Sequence, residues 1–458
     1  MANKINIANT TDKKAEFGTK PLGKLLAQQA IPAAIGIMVL SIYAIIDTIF
    51  VGRYVGPDGI AAITVILPIT FLMGSIGMAT GVGGASIISR AFGEGNDERA
   101  YKTFGNMIAI VLVLTLSMAI ISFIFSEEIT ALFGGKGTVL APANEYFRIV
   151  LPGIPFLAWA MMCNNVIRAE GYPKMAMFTL VTPAVVNLIL DPIFIVYFRW
   201  GMFGAGLATT IGYLCSAGFT FWYFAGKRSE MRLQLRSIIL DWGIVREIAG
   251  IGSVTLARQS TISVLSIVLN NSLFVYGGEI AISMYGLVNR IMLFLNFPTI
   301  GITQGFIPIA GYNYGAKLRD RVTDLIKISM QSATFLATIL FLVIFIFTPS
   351  ICSLFTDDIT LIERSTPAVR ISLIATPLIA INLIGSAYFQ ATGKALPALF
   401  LALSKQGIFL IPLILLLPLA FGLDGIWYSF PIADVLAASL TFIYLRYQRR
   451  KTAAANLL

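Results

Sequence analysis

Within the apolar stretch 175–198 the chain reads Asn187-Leu188-Ile189-Leu190-Asp191-Pro192. About 20 apolar residues in a helix suffice to cross a bilayer, and this stretch has that length. A carboxylate near the bilayer centre costs at least ~2.5 kcal/mol, so Asp191 marks a site with a purpose. Asn187 lies four residues earlier, which places amide and carboxylate on one helix face. Pro192 offers no N–H to the carbonyl of Leu188, leaving a backbone acceptor on the same turn. A proton or a small cation can use that cluster.

Composition sets the class. Hydrophobic residues make up 57% of the 458-residue chain and charged residues 12%, with a mean hydropathy of +0.83. A soluble domain is about a quarter charged, so this is a multi-span membrane protein. Met1 to Lys20 is polar, and the first apolar run, from Ile31, reads as a full span with no cleavage site after it. The cysteines Cys163, Cys215 and Cys352 are scattered and read as small core residues. Histidine is absent, which removes His-based acid–base chemistry and His metal sites.

Twelve apolar spans are expected, at 25–52, 60–88, 104–125, 146–167, 175–198, 203–225, 246–276, 280–311, 326–348, 368–390, 396–420 and 425–446. Most of the 33 basic residues fall on one side of this pattern, in the tails and in connectors such as Arg90–Lys102, Lys227–Arg246, Lys317–Lys327 and Lys394. By the positive-inside rule that side is cytoplasmic, as are both termini. The net charge of +10 is then topology, and nucleic acid is not an expected partner.

A long charged connector separates two sets of six spans. The expected organisation is a tail at 1–24, an N-lobe at 25–226, a linker at 227–245, a C-lobe at 246–446 and a tail at 447–458. A faint repeat supports it. Ala91-Phe92-Gly93 matches Asn313-Tyr314-Gly315, and Arg168-Ala169-Glu170-Gly171 matches Gln390-Ala391-Thr392-Gly393, both at an offset of 222. The fold class is therefore an all-α membrane protein with two pseudo-symmetric six-helix lobes around a central cavity. Gly77, Gly81, Gly83 and Gly84 serve close helix packing rather than phosphate binding, since no P-loop pattern occurs.

Asp47 lies deep in the first span with Tyr43 one turn before it, repeating the spacing of Asn187 and Asp191. Two intramembrane carboxylates can share a proton. With Asn187 and backbone oxygens, Asp191 can also hold Na⁺. Alternatively each Asp hydrogen-bonds a neighbouring helix and fixes its packing. At the 222 offset the two acids fall on Leu269 and Leu413, so any ion chemistry belongs to the first half. Asn164, Asn165, Thr209 and Thr210 are within helical reach of it or bond helix to helix. The second half carries Arg258, Gln259, Arg290, Lys405 and Asp434, read either as structural ion pairs or as a second polar site.

Placed in order, these pieces resemble the multidrug and toxic compound extrusion (MATE) transporters, in the bacterial branch of DinF-like and MepA-like exporters. The resemblance rests on Ile31-Pro32 through Tyr43 and Asp47 to Gly52, Ser89-Arg90, Ala169-Glu170-Gly171, Asn187 to Phe194, Gly204-Ala205-Gly206, Pro308 to Gly315, and Gln390-Ala391-Thr392-Gly393. It implies antiport, with H⁺ or Na⁺ entering as an amphipathic, often cationic compound leaves. It also implies an ion-coupling cluster of Tyr43, Asp47, Asn187, Asp191 and Thr209 or Thr210. Some relatives carry a cation-binding acid in the seventh span, where this chain has Arg258, Gln259 and Ser260. The expectation is a monomeric carrier with hinges at Pro32 and Pro192, neither an enzyme nor a cofactor protein. Flipping of lipid-linked saccharides is the alternative within the same fold. A major-facilitator carrier fits poorly, because Arg90 to Asp97 lacks that family's loop pattern.

Overall fold

The computed structural model describes residues 8–226, 229–231 and 239–455. Parts of the expected tails and linker (1–7, 227–228, 232–238 and 456–458) lie outside the described residues. Among the described residues the chain is almost wholly helical and has no strand.

The first six spans are Leu22–Tyr54, Pro57–Glu94, Asp97–Ile124, Gly137–Ala169, Pro173–Tyr197 and Gly201–Ala225. Next comes the 74-residue run Trp242–Gly315. At 1.5 Å per residue it would extend over about 110 Å, several times the ~30 Å hydrocarbon layer. It breaks at Gly278, whose φ of 66° is outside helical space. Two spans, the seventh and eighth, therefore meet at that glycine. The ninth is Arg319–Ile346, the eleventh Ala395–Phe421 and the twelfth Leu423–Gln448. The tenth bends by 45° between Ile359–Leu373 and Thr376–Ala391, at Pro377. Among the described residues the count is twelve, as the hydropathy pattern implies.

Helix starts follow local chemistry. Asn96, Asp241 and Asp358 accept backbone N–H bonds as N-caps of the third, seventh and tenth spans. Pro57 opens the second span at N1 after Gly56, whose φ is 106°.

Two compact units result. One comprises Pro32–Leu256 with Gly311–Arg319 and the segment up to Pro21; the other comprises Ala257–Ala310 and Asp320–Leu458 with Leu22–Ile31. The division passes through the first span at Pro32 and through the seventh after Leu256. The first unit is centred on Ile66, Met73, Phe147 and Ile154, the second on Leu269, Leu273, Val288 and Trp427.

The repeat is written in the backbone. Positive φ recurs at Gly56 and Gly278, at Gly95 and Lys317, and at Gly171 and Gly393, each pair 222 residues apart. Asn164 bonds the carbonyl of Ala176, and the equivalent Ser386 bonds that of Ala398. The glycines of the first quoted match meet face to face in the first unit. A Cβ on Gly93 would strike the Tyr312 carbonyl, and one on Gly315 would strike the Arg90 carbonyl. Because the obstacle is backbone on both sides, neither helix can yield by a rotamer change. Gly93→Ala is expected to cost about 1–3 kcal/mol by overpacking. Gly315→Ala should cost a similar amount, and the double variant less than the sum because both act on one crossing. Thermal unfolding in detergent checks this; full additivity would contradict it.

The second-span glycines also serve packing. Cβ atoms at Gly77, Gly83 and Gly84 would overlap Ala158, Ile248 and Met107. At the end of this span Arg90 donates to Glu247 Oε1 at 2.7 Å, and Arg99 donates to Oε2 at 2.8 Å. One carboxylate thus ties the second and third spans to the start of the seventh.

Candidate ion-coupling site

The cluster is built where the first, fourth, fifth and sixth spans of the first unit converge. Asp47 is 7% exposed and Asp191 is fully buried. Their side chains lie within hydrogen-bonding reach of each other, an approach that a shared proton allows. Asp47 Oδ1 has no hydrogen-bond partner among the described residues. Buried acceptors are rarely left so.

Asn187 orders the other side of Asp191. In the amide orientation that satisfies both ends, its nitrogen donates to Asp191 Oδ2 at 2.5 Å. Its oxygen accepts from Thr209 Oγ1 and from Thr209 N, both at 3.2 Å. Three tyrosines, Tyr43, Tyr146 and Tyr213, complete the surround of Asp47, and the Tyr146 hydroxyl bonds Thr209.

Pro192 opens a π-helical stretch, Pro192–Tyr197, directly after Asp191. Proline cannot donate to the ordinary i−4 carbonyl, so the ladder shifts to a wider turn. The eleventh span also carries a π-helical stretch, Ser404–Leu410, about ten residues earlier than the 222 offset would place it.

Of the two candidate threonines, Thr209 enters the cluster, whereas Thr210 donates to the carbonyl of Ile149 at 2.8 Å. Asn164 and Asn165 stay outside it: Asn164 bonds Ala176 and Thr179, and Asn165 bonds Met161 within its own helix. Sequence reasoning missed Tyr146 and Tyr213. Tyr213 carried a signal, standing four residues after Thr209 on the same face. Tyr146 carried none, since only the fold brings the start of the fourth span alongside Asp47.

In the second unit the polar residues do not gather. Asp434, 3% exposed, pairs with Lys405 at 2.6 Å. Arg258 donates to Ser386 Oγ at 3.5 Å, Arg290 lies 6.0 Å from the ring centre of Phe355, and Gln259 is half-buried.

Another buried carboxylate, Glu170, lies in the turn between the fourth and fifth spans. It accepts from Tyr223 at 2.9 Å, from Ser229 at 2.6 Å and from the Met231 amide at 2.9 Å. Next to it Glu230 pairs with Lys14 of the N-terminal helix Ala8–Thr19 at 2.7 Å, and Lys14 also reaches Asp97 at 3.0 Å. Burial pushes the Glu170 carboxyl up to about 7, against the pull of its three donors. Segment 229–231 supplies two of those donors. Glu170→Ala should therefore release it, and hydrogen-exchange protection of the Met231 amide should fall in that variant. Unchanged protection would contradict this.

A family model places the fold. The MatE model matches residues 32–193 and again 253–416. The chain belongs to the MatE family. The doubled match repeats the offset seen in the glycines. Among curated MatE relatives, the chain is 27% identical over 444 residues to the multidrug export protein MepA of Staphylococcus aureus, covering 96% of this chain and 98% of that one. To MepA of Staphylococcus haemolyticus it is 28% identical, covering 95% and 96%. Among solved structures it superposes on a MATE in complex with MaL6 with a TM-score of 0.90 at 24% identity, covering 95% of this chain and 98% of that chain. An outward-facing MATE transporter of the MOP superfamily gives 0.89 at 24%, and a MOP superfamily transporter from Pyrococcus furiosus gives 0.89 at 23%, with the same coverage. These likenesses show the twelve-span fold.

Proposed function

We propose that this MatE member is a multidrug exporter that sends amphipathic, cationic compounds out of the cell in exchange for H⁺. The full-length similarity to MepA proteins supports the export of drugs. The observation that carries the choice of ion is the buried carboxyl pair, Asp47 beside Asp191. Two adjacent acids shielded from water favour sharing one proton, whereas a sodium ion needs a shell of several oxygens.

In this reading, protonation of the Asp47–Asp191 pair removes the negative charge that holds a cationic substrate. A ligand shifts a two-state equilibrium only through different affinity for the two states, and a carboxyl pair whose surroundings change supplies that difference. Pro32 and Pro192 serve as the hinges: the unit boundary falls at Pro32, and the π-helical stretch starts at Pro192. Both termini face the cytoplasm, following the basic connectors. The saccharide-flippase alternative calls for grouped cations, and Arg258, Arg290 and Lys405 sit against separate partners.

Proteoliposomes loaded with ethidium test the ion. Export should follow an imposed pH gradient in sodium-free buffer and ignore a sodium gradient at fixed pH. Export that needs sodium would overturn the reading.

A further inference from the structure

The first unit holds a cavity of about 1080 Å³ formed by the third, fourth and sixth spans, away from the acids. That is slightly above the usual range for drug-sized sites, about 300–1,000 Å³. Its wall includes Leu112, Leu116, Phe123, Pro155, Trp159 and Phe221, and every lining side chain is apolar or has its polar atom engaged. Trp159, the one exception by type, donates its indole N–H to Thr220 Oγ1 at 2.9 Å, and its ring lies 5.4 Å from that of Phe221. Leu112, Leu116, Phe123 and Phe221 are exposed, so the cavity opens on the membrane-facing side.

Two further observations make this more than a lipid-facing dent. Gly218 lines the cavity, and a Cβ built on it meets nothing within 4 Å. Glycine within a helix costs about 1 kcal/mol relative to alanine. At Gly77, Gly83 and Gly84 close packing offsets that cost; at Gly218 no neighbour does, and the glycine keeps the cavity deep. At one end stands Arg148, exposed, its guanidinium 4.9 Å from the ring centre of the wall residue Phe123. Among the described residues no carboxylate pairs with it.

We propose that this groove holds one bilayer phospholipid, an acyl chain lying over Gly218 between Leu116 and Phe221 and its phosphate on Arg148. A slot without a free hydrogen-bonding group suits an alkyl chain. The unpaired cation at its end suits the anionic group to which such a chain is attached. The groove also touches Leu151 and Pro152 of the 3₁₀ turn Leu151–Gly153, and the helix entering that turn carries Tyr146. A seated lipid therefore braces the segment that presents Tyr146 to the acids, and its binding should register as thermal stabilisation.

Native mass spectrometry and thermal unfolding of the detergent-purified full chain test this with palmitoyl-oleoyl phosphatidylglycerol as probe. The wild type is expected to hold one phosphatidylglycerol and to gain thermal stability from it. Gly218→Trp, which fills open space, should abolish both effects; Leu116→Trp fills the groove from the opposite wall if the first variant fails to fold. Arg148→Gln should weaken binding about fivefold. Inorganic phosphate alone should neither bind nor stabilise. Equal lipid retention in the filled and wild-type proteins would overturn the proposal. So would stabilisation by phosphate alone, which would make Arg148 a simple anion site.

Discussion

Asp191→Asn is expected to abolish proton-driven ethidium export while leaving the fold intact. The substitution keeps the volume and a hydrogen-bonding partner for Asn187, so the helix contacts survive. In the proposed exchange it removes the group whose charge changes between the two states. Coupling between two ligands is typically worth about 1–3 kcal/mol, so its loss removes ~5- to 150-fold of concentrative export. Ethidium should still bind and equilibrate passively. Proteoliposomes under a pH gradient report the loss, and a thermal melt reports the fold. Normal concentrative export by a folded Asp191→Asn protein would show that the pair is only a helix-to-helix contact.

Lys405→Met should be the most damaging single change in the second unit. Asp434 is 3% exposed and has Lys405 at 2.6 Å. Removing the cation leaves a buried carboxylate uncompensated, at a cost of about 3–5 kcal/mol. Replacing both partners, as Lys405→Met with Asp434→Leu, should recover most of that stability, because an apolar pair of similar volume often substitutes for a buried ion pair. The double variant also separates packing from transport. If the pair is structural, a recovered protein exports ethidium as the wild type does. An unchanged melting temperature in the single variant would contradict the ion-pair account.

Much of this was legible in the sequence, and the reasons are physical. Twenty-residue apolar runs have one stable outcome in lipid, so the twelve spans followed from hydropathy even where helix limits did not. The continuous run through Gly278 and the bend at Pro377 are details of backbone geometry that hydropathy averages away. The repeat was visible only at Gly93/Gly315 and Glu170-Gly171/Thr392-Gly393, because those turns and crossings need particular backbones. Elsewhere apolar side chains interchange freely between the halves.

Asp47, Asn187 and Asp191 were legible because a polar group in an apolar helix is conspicuous. Tyr146 was not, because tyrosine is ordinary near a membrane interface and its place beside the acids depends on how four helices converge. Glu170 stood in a quoted motif, yet its partners Ser229 and Met231 come from a connector whose path no local pattern fixes. Lys405 and Asp434 each stand out as charges in apolar spans, but in the sequence three cations compete for one acid. Distance decided among them.

If the Asp47–Asp191 pair exchanges a proton for a cationic substrate, substrate binding must release protons, and a proton count reads that release. Adding ethidium to the purified protein in weakly buffered, sodium-free detergent should release about one proton per ethidium bound in the wild type, and none in Asp191→Asn. Ethidium binding without proton release in the wild type, or equal release from both proteins, would contradict it.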